Sequence, residues 1–252
     1  MPTYPTPPPA VTLPTVIGER WSETGLQGGM VLADHDLADV ADLTASPGAM
    51  TVLNGSEFAA LSIGSGLLTA QPTTDADAAS TWPTDNANYY ATLPPAPGGA
   101  LYEFHVAVLD ATVGRASAEC YVLDDTTTSG YHCRLDAYPA GADGAAVYSR
   151  VQGSGTTLRY TVAGVSDATL EAGYWWRIHV RDDMSVRIEF AAGAAAARPD
   201  ADGWTFCYEG SDGQLTGDNP IRVGFGLRYI TGQSTFNFGA LRAGNALVSG
   251  VA

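Results

Sequence analysis

The stretch YWWRIHVRDDMSVRIEF, Tyr174 to Phe190, constrains the fold more than any other part of this 252-residue chain. Tyr174, Trp176, Ile178 and Val180 recur at every second position, and beyond an acidic turn Val186, Ile188 and Phe190 do the same. Successive side chains of a strand point to opposite faces, so a period of two predicts an antiparallel hairpin with one apolar side. The other side carries Trp175, Arg177, His179, Arg181, Arg187 and Glu189. Arg177 or Arg181 beside Glu189 would make a cross-strand charge pair, and arginine stems would shield Trp175. On this reading the polar side is a solvated sheet face rather than a ligand surface.

The same alternation runs through most of the chain. LYEFHVAVLD puts Tyr102, Phe104, Val106 and Val108 on one side, and IRVGFGLRYI does so with Ile221, Val223, Phe225 and Leu227. SAECYVLDD and YHCRLDAYP flank a short polar linker, and AAVYSRVQG and TTLRYTVAG flank Gly153-Ser154-Gly155. Both pairs predict hairpins. Asn54-Gly55 and Gly64-Ser65-Gly66 break the earlier apolar run into short strands. Helix is scarce. DHDLADVADLTA, residues 34–45, predicts a short helix with Leu37, Val40 and Ala41 inward. AAGAAAARPDADG is either helical or a loop ended by Pro199. Many short strands joined by Gly- and Asp-rich turns predict an all-β fold, a two-sheet antiparallel sandwich. Residues 1–16, with Tyr4, Pro7, Pro8 and Pro9, read as a proline-rich extended arm. The arm can build no core of its own, so it is expected to dock on a neighbouring subunit of an oligomer. Residues 17–252 read as one sandwich domain.

Composition removes several classes of function. Against 27 acidic residues there are 12 basic ones, all arginine, for a net charge of -15. Without a basic run to neutralise phosphates, neither nucleic acid nor an anionic membrane surface is an expected partner. No apolar run approaches the ~20 residues of a membrane span. The first residues lack a basic region followed by an apolar one, so no signal peptide is expected there. Cys120, Cys133 and Cys207 are odd in number and form no CxxC pair. That argues against a disulfide framework or a zinc site and for buried free thiols.

Three stretches, LNGSEFAALSIGSGLLTAQ, EAGYWWRIHVRDDMSVRIEF and NPIRVGFGLRYITGQSTFNFGALRAG, resemble the early strands, the mid-domain hairpin and the closing pair of a concanavalin A-like (LamG-type) jelly roll. Such domains occur in phage minor tail and virion-surface proteins. The resemblance therefore implies a non-enzymatic structural or adhesion component of a bacteriophage virion, joined to other virion subunits through the arm. It also implies two alternatives: a carbohydrate-binding module for a bacterial surface glycan, and a glycoside hydrolase of the jelly-roll class.

Site chemistry follows from these alternatives. Glycoside hydrolysis needs two carboxyls about 5–9.5 Å apart. The E-x-D-x-x-E pattern of the glucanase branch is missing, and Glu103 and Asp110, seven residues apart, fall on opposite faces. There is no G-x-S-x-G elbow, and His35, His105, His132 and His179 have no partner nearby in sequence. No catalytic residue is predicted. Lectin-type jelly rolls often hold calcium in loops, which implies a metal site among Asp200, Asp202, Asp212, Asp218 and Asn219. The same residues are ordinary turn formers. STWPTDNANYY gathers Trp82, Asp85, Asn86, Asn88, Tyr89 and Tyr90 in one loop-like stretch. Rings beside polar groups there suit sugar binding, protein contact or simple packing.

Overall fold

A computed structural model describes residues 31–36, 51–53, 58–64, 67–72, 87–93, 100–109, 116–137, 144–181, 183–200, 202–216, 218–229 and 234–245. The arm, with Tyr4, Pro7, Pro8 and Pro9, lies outside them, as do Trp82, Asp85 and Asn86. The strands in chain order are β1 (Val31–Asp36), β2 (Thr51–Leu53), β3 (Phe58–Gly64), β4 (Leu67–Pro72), β5 (Ala87–Leu93), β6 (Ala100–Val108), β7 (Ala116–Asp124) and β8 (Gly130–Ala137). They continue with β9 (Gly144–Val151), β10 (Gly155–Thr161), β11 (Tyr174–Val180), β12 (Val186–Ala192), β13 (Thr205–Gly210), β14 (Ile221–Tyr229) and β15 (Phe236–Asn245). Among the described residues one short helix, α1 (Asp167–Ala172), joins β10 to β11.

Two antiparallel sheets face each other. The first has the order β13-β12-β11-β6-β15-β4-β3, and the second β10-β9-β8-β7-β14-β5-β2. β15 has β6 along one side; along the other, Phe236–Phe238 lie beside β4 and Ala240–Gly244 beside β1. The predicted hairpins β7–β8, β9–β10 and β11–β12 all form. The closing strands divide between the sheets: β14 sits between β7 and β5, and β15 crosses to the first sheet.

Alternation explains the core. Tyr102, Phe104, Val106 and Val108 of β6 meet Ile221, Val223, Phe225 and Leu227 of β14 in one buried cluster. Phe225 and Phe238 stack across the sheets at 4.1 Å. Each such side chain stabilises the fold by about 1.5–3 kcal/mol through burial. Cys120 and Cys133 stand opposite each other in register, and with Cys207 they remain free, buried thiols. α1 closes the sandwich with Leu170, its first turn capped by Ser166 in reciprocal bonds with Thr169.

Two expectations are corrected and one alternative is decided. Residues 34–36 of the expected helix belong to strand β1, paired with β15, and 37–45 lie outside the described residues. The loop-like reading of Ala87–Tyr90 fails because hydrogen bonding to both β14 and β2 makes it strand β5. Of the two readings of AAGAAAARPDADG the loop holds: β12 runs through Ala192, and residues 193–200 and 202–204 lie over the sheet face as an irregular strap.

Candidate functional site

Both outer sheet faces carry chemistry. On the first sheet, Glu103, Arg177 and Glu189 stand in one row across β6, β11 and β12, and the register continues to positions 242 (Arg) and 34 (Asp). Charges alternate along the row, which suits cross-strand pairing. Glu189 Oε2 accepts from Arg177 Nε at 2.8 Å and from Nη2, while Oε1 accepts from Arg187 Nε at 2.9 Å. Burial would raise the Glu189 carboxyl, but the two guanidiniums outweigh it and hold it below the usual range. Arg181 does not reach Glu189; it forms a fork with Glu209 at 2.7 and 2.9 Å.

The strap covers Trp175, which is 1% exposed. That ring packs with Ala191 and Trp204, stands 5.1 Å from the His105 ring, and donates through Nε1 to the Ala194 carbonyl at 3.1 Å. Arg177 covers Trp204, 4.3 Å from its ring centre. Arg198 reaches from the strap to the wholly buried Glu103 with bonds of 2.8 and 2.7 Å, and His105 Nε2 meets the Gly193 carbonyl at 2.9 Å. The close fit requires glycine beneath it. A Cβ at Gly173, where φ is +95°, would lie 2.6 Å from His105 Nε2, and one at Gly239 would lie 2.3 Å from Ala195 Cβ.

On the second sheet the outer face gathers polar and aromatic residues from separate strands. One row runs Gly224, Tyr121, His132, Tyr148 across β14, β7, β8 and β9, and the next runs Gly226, Glu119, Arg134, Ala146; on β5 the register continues them to positions 90 and 88. His132 Nδ1 stands 3.4 Å from Glu119 Oε2, and its ring lies 5.0 Å from that of Tyr148. Arg134 lies over the Tyr148 ring at 4.3 Å, donates to its hydroxyl, and holds Asp136 through Nε at 2.9 Å. Ser117 donates to the other oxygen of Asp136. Glu119, Tyr121 and His132 are buried, whereas Tyr148, Arg134 and Arg150 are half-buried. The β8–β9 half is therefore the part that solvent reaches.

Of the residues singled out from sequence, positions 88 and 90 join these two rows, while Tyr89 stands opposite Phe225, whose row faces the core. The sequence reasoning missed Tyr121, His132, Arg134 and Tyr148, because each is only an alternate position in its own strand. Among the calcium candidates, Asp200, Asp202 and Asp218 are exposed. Asp212 accepts from Tyr208 Oη at 2.6 Å and lies 3.3 Å from Arg159 Nη2. Asn219 Nδ2 donates to Asp124 Oδ2 at 2.9 Å. The other donors to Asp124 are Thr216 Oγ1 and the backbone N–H groups of Thr126 and Thr127, at 2.8–2.9 Å. Among the described residues no three His, Cys, Asp or Glu side chains converge as metal ligands.

No family model matches this sequence, and no curated protein matches it. Solved structures do. The CBM2 module of the evolved Dit of Lactobacillus casei BL23 phage J-1 is similar over 88% of this chain and 98% of that one, with a TM-score of 0.59 and 11% identity. The carbohydrate recognition domain of Emp46p, potassium-bound, covers 85% and 95% at a TM-score of 0.55 and 10% identity. The GH43 protein BlXynB of Bacillus licheniformis matches at a TM-score of 0.54 and 13% identity over 84% of this chain but only 38% of its own. At these identities the likeness establishes the fold, a lectin-like jelly roll, and nothing finer.

Proposed function

We propose that this chain is a non-enzymatic structural and adhesion component of a bacteriophage virion, a minor tail, tail-tip or surface-decoration protein, that binds a bacterial surface glycan. The observation that carries the glycan reading is the half-buried Tyr148 ring, with Arg134 over it and donating to its hydroxyl, at the end that solvent reaches of a cross-strand row whose Tyr121 and His132 are buried. Rings flanked by fixed hydrogen-bonding groups are what a sugar needs: an apolar face to stack on and partners for its hydroxyls. A phage Dit module and a carbohydrate recognition domain share the fold, which supports the virion setting and the ligand class. The LamG-type variant of the jelly roll and the single domain over 17–252 belong to the same proposal, as does docking of residues 1–16 on other virion subunits.

The glycan arm is tested on an array of bacterial surface saccharides, with and without calcium. Binding that Tyr148→Ala abolishes supports it, and no binding under either condition sinks it. The assembly arm is tested by deleting residues 1–16. The shortened chain should fold but fail to join the particle, and normal incorporation would refute the docking role. Catalysis is tested on the same preparation. Glu119 and Asp136 lie on neighbouring strands of this face, so release of reducing ends from a bound glycan, lost in Glu119→Gln, would favour the hydrolase reading instead.

A further inference from the structure

Beyond the strap, the outer face of the first sheet ends in a patch that the glycan row does not use. Arg177 and Arg187 both close on the single carboxylate of Glu189, so this trio keeps one surplus positive charge. Arg181 and Glu209 cancel each other at the margin, with the exposed carboxylate of Asp183 nearby. His179 stands in register between Arg187 and position 101. Its imidazole is pushed down first by burial, then by Arg181, Arg177 and Arg187, with only Glu189 acting the other way. Over the whole patch the charges balance, Arg177, Arg181 and Arg187 against Glu189, Glu209 and Asp183, in a chain of net charge -15.

The exposed half of the patch belongs to Arg187 and Phe206. The Arg187 side chain is 41% exposed, and its guanidinium lies 5.2 Å from the centre of the Phe206 ring, which is 49% exposed. Arg187 spends Nε and Nη2 on Glu189, and its Nη1 has no partner among the described residues. A guanidinium carries five donors in a planar fork that suits carboxylate and phosphate oxygens. An open aromatic face beside that fork accepts the C–H face of a sugar ring.

We propose that Arg187, Phe206 and the Arg177–Glu189 pair form a second binding site, for a short acidic saccharide whose anionic group meets Arg187 and whose ring lies on Phe206. The ligand is short because the net charge of the whole chain repels a long polyanion. This site is separate from the Tyr121–His132–Tyr148 row and does not depend on it.

The test titrates the intact protein by calorimetry and by amide chemical shifts, with a galacturonate disaccharide, a hexose phosphate and the neutral hexose. At least one acidic sugar should bind saturably, and which one it is separates a carboxylate source from a phosphate source. Arg187→Gln and Phe206→Ala should each weaken that binding by about tenfold or more. Phe206 is 49% exposed, so Phe206→Ala should keep the wild-type unfolding midpoint, while Arg187→Gln, which also gives up its bonds to Glu189, is checked for native folding by its amide spectrum; Arg187→Lys serves as a second probe that retains the charge and loses the fork. Tyr148→Ala should leave acidic-sugar binding intact, so failure here and failure of the glycan row give different results. The proposal is overturned if neither acidic sugar binds, if the neutral hexose binds equally well, or if Arg187→Gln binds as tightly as wild type.

Discussion

Replacing Arg198 by alanine tests whether the strap is held by its buried ion pair. Glu103 is 0% exposed and accepts two bonds from Arg198, at 2.8 and 2.7 Å. Removing the arginine leaves an uncompensated carboxylate inside the protein, a loss of about 3–5 kcal/mol for pairs of this kind. Two features place the effect at the low end. Arg198 itself is 20% exposed, and Arg177 stands opposite Glu103 in the neighbouring strand and offsets part of its charge. The expected cost is therefore about 3 kcal/mol. In a chain of this length that corresponds to a fall in Tm of about 6–12 °C. Glu103→Gln alone should cost less, because the freed guanidinium can turn to water. The Arg198→Ala/Glu103→Gln pair should be more stable than Arg198→Ala alone, since a neutral amide is cheaper to strand than a carboxylate. Urea and thermal unfolding, followed through tryptophan fluorescence, read all three, because Trp175 and Trp204 lie under and beside the strap. If Arg198→Ala falls within about 0.5 kcal/mol of wild type, or if the double variant is no more stable than the single, the ion pair is not what holds the strap.

Three further outcomes follow from buried groups elsewhere. Burial pushes the His105 imidazole down to about 4, against an ordinary 6.5, so the unfolded chain takes up the proton first as pH falls. Stability is full above the higher value and should decline by about 3 kcal/mol on the way to the lower one, a slope that His105→Gln should flatten in urea midpoints taken across that window. Burial would raise the Asp124 carboxyl, yet the four donors around it outweigh burial and hold it below 3.8. Asp124→Ala should cost about 3 kcal/mol near neutral pH, with the penalty shrinking as wild-type Asp124 itself protonates in acid; equal penalties at both pH values in chemical denaturation would contradict this. Burial also pushes the Cys207 thiol up to about 12 and raises Cys120 and Cys133. A disulfide exchange reagent should find no rapidly reacting thiol in the native protein and all three after unfolding.

The period of two was enough to place Tyr102, Phe104, Val106 and Val108, and likewise Ile221 to Leu227, on the face that became the core. It also put Arg177 and Arg181 on the side of Glu189, and the register pairs Arg177 with it. What alternation does not carry is the identity of whatever lies against the second face of a strand. Trp175 alternates with Trp176 in sequence, yet both rings are buried, one by the sandwich and one by a strap. The strap's own sequence, AAGAAAARPDADG, has no periodicity that would predict a cover for β6 and β11. Its small side chains are nevertheless what allows the chain to approach Gly239 and the His105 ring so closely. The glycan row was hidden for a related reason. Tyr121, His132 and Tyr148 come from three strands, separated by 11 and 16 residues, and only the pairing of β7 with β8 and of β8 with β9 aligns them. Shifting either register by one residue would turn Cys133 or Val147 outward and dissolve the row together with the core. The row and the hydrophobic core are thus specified by the same alternation. At the half-buried Tyr148 a substitution preserves the register but gives up the Arg134 contacts, so Tyr148→Ala is informative about the ligand when its loss of binding exceeds its shift in unfolding midpoint.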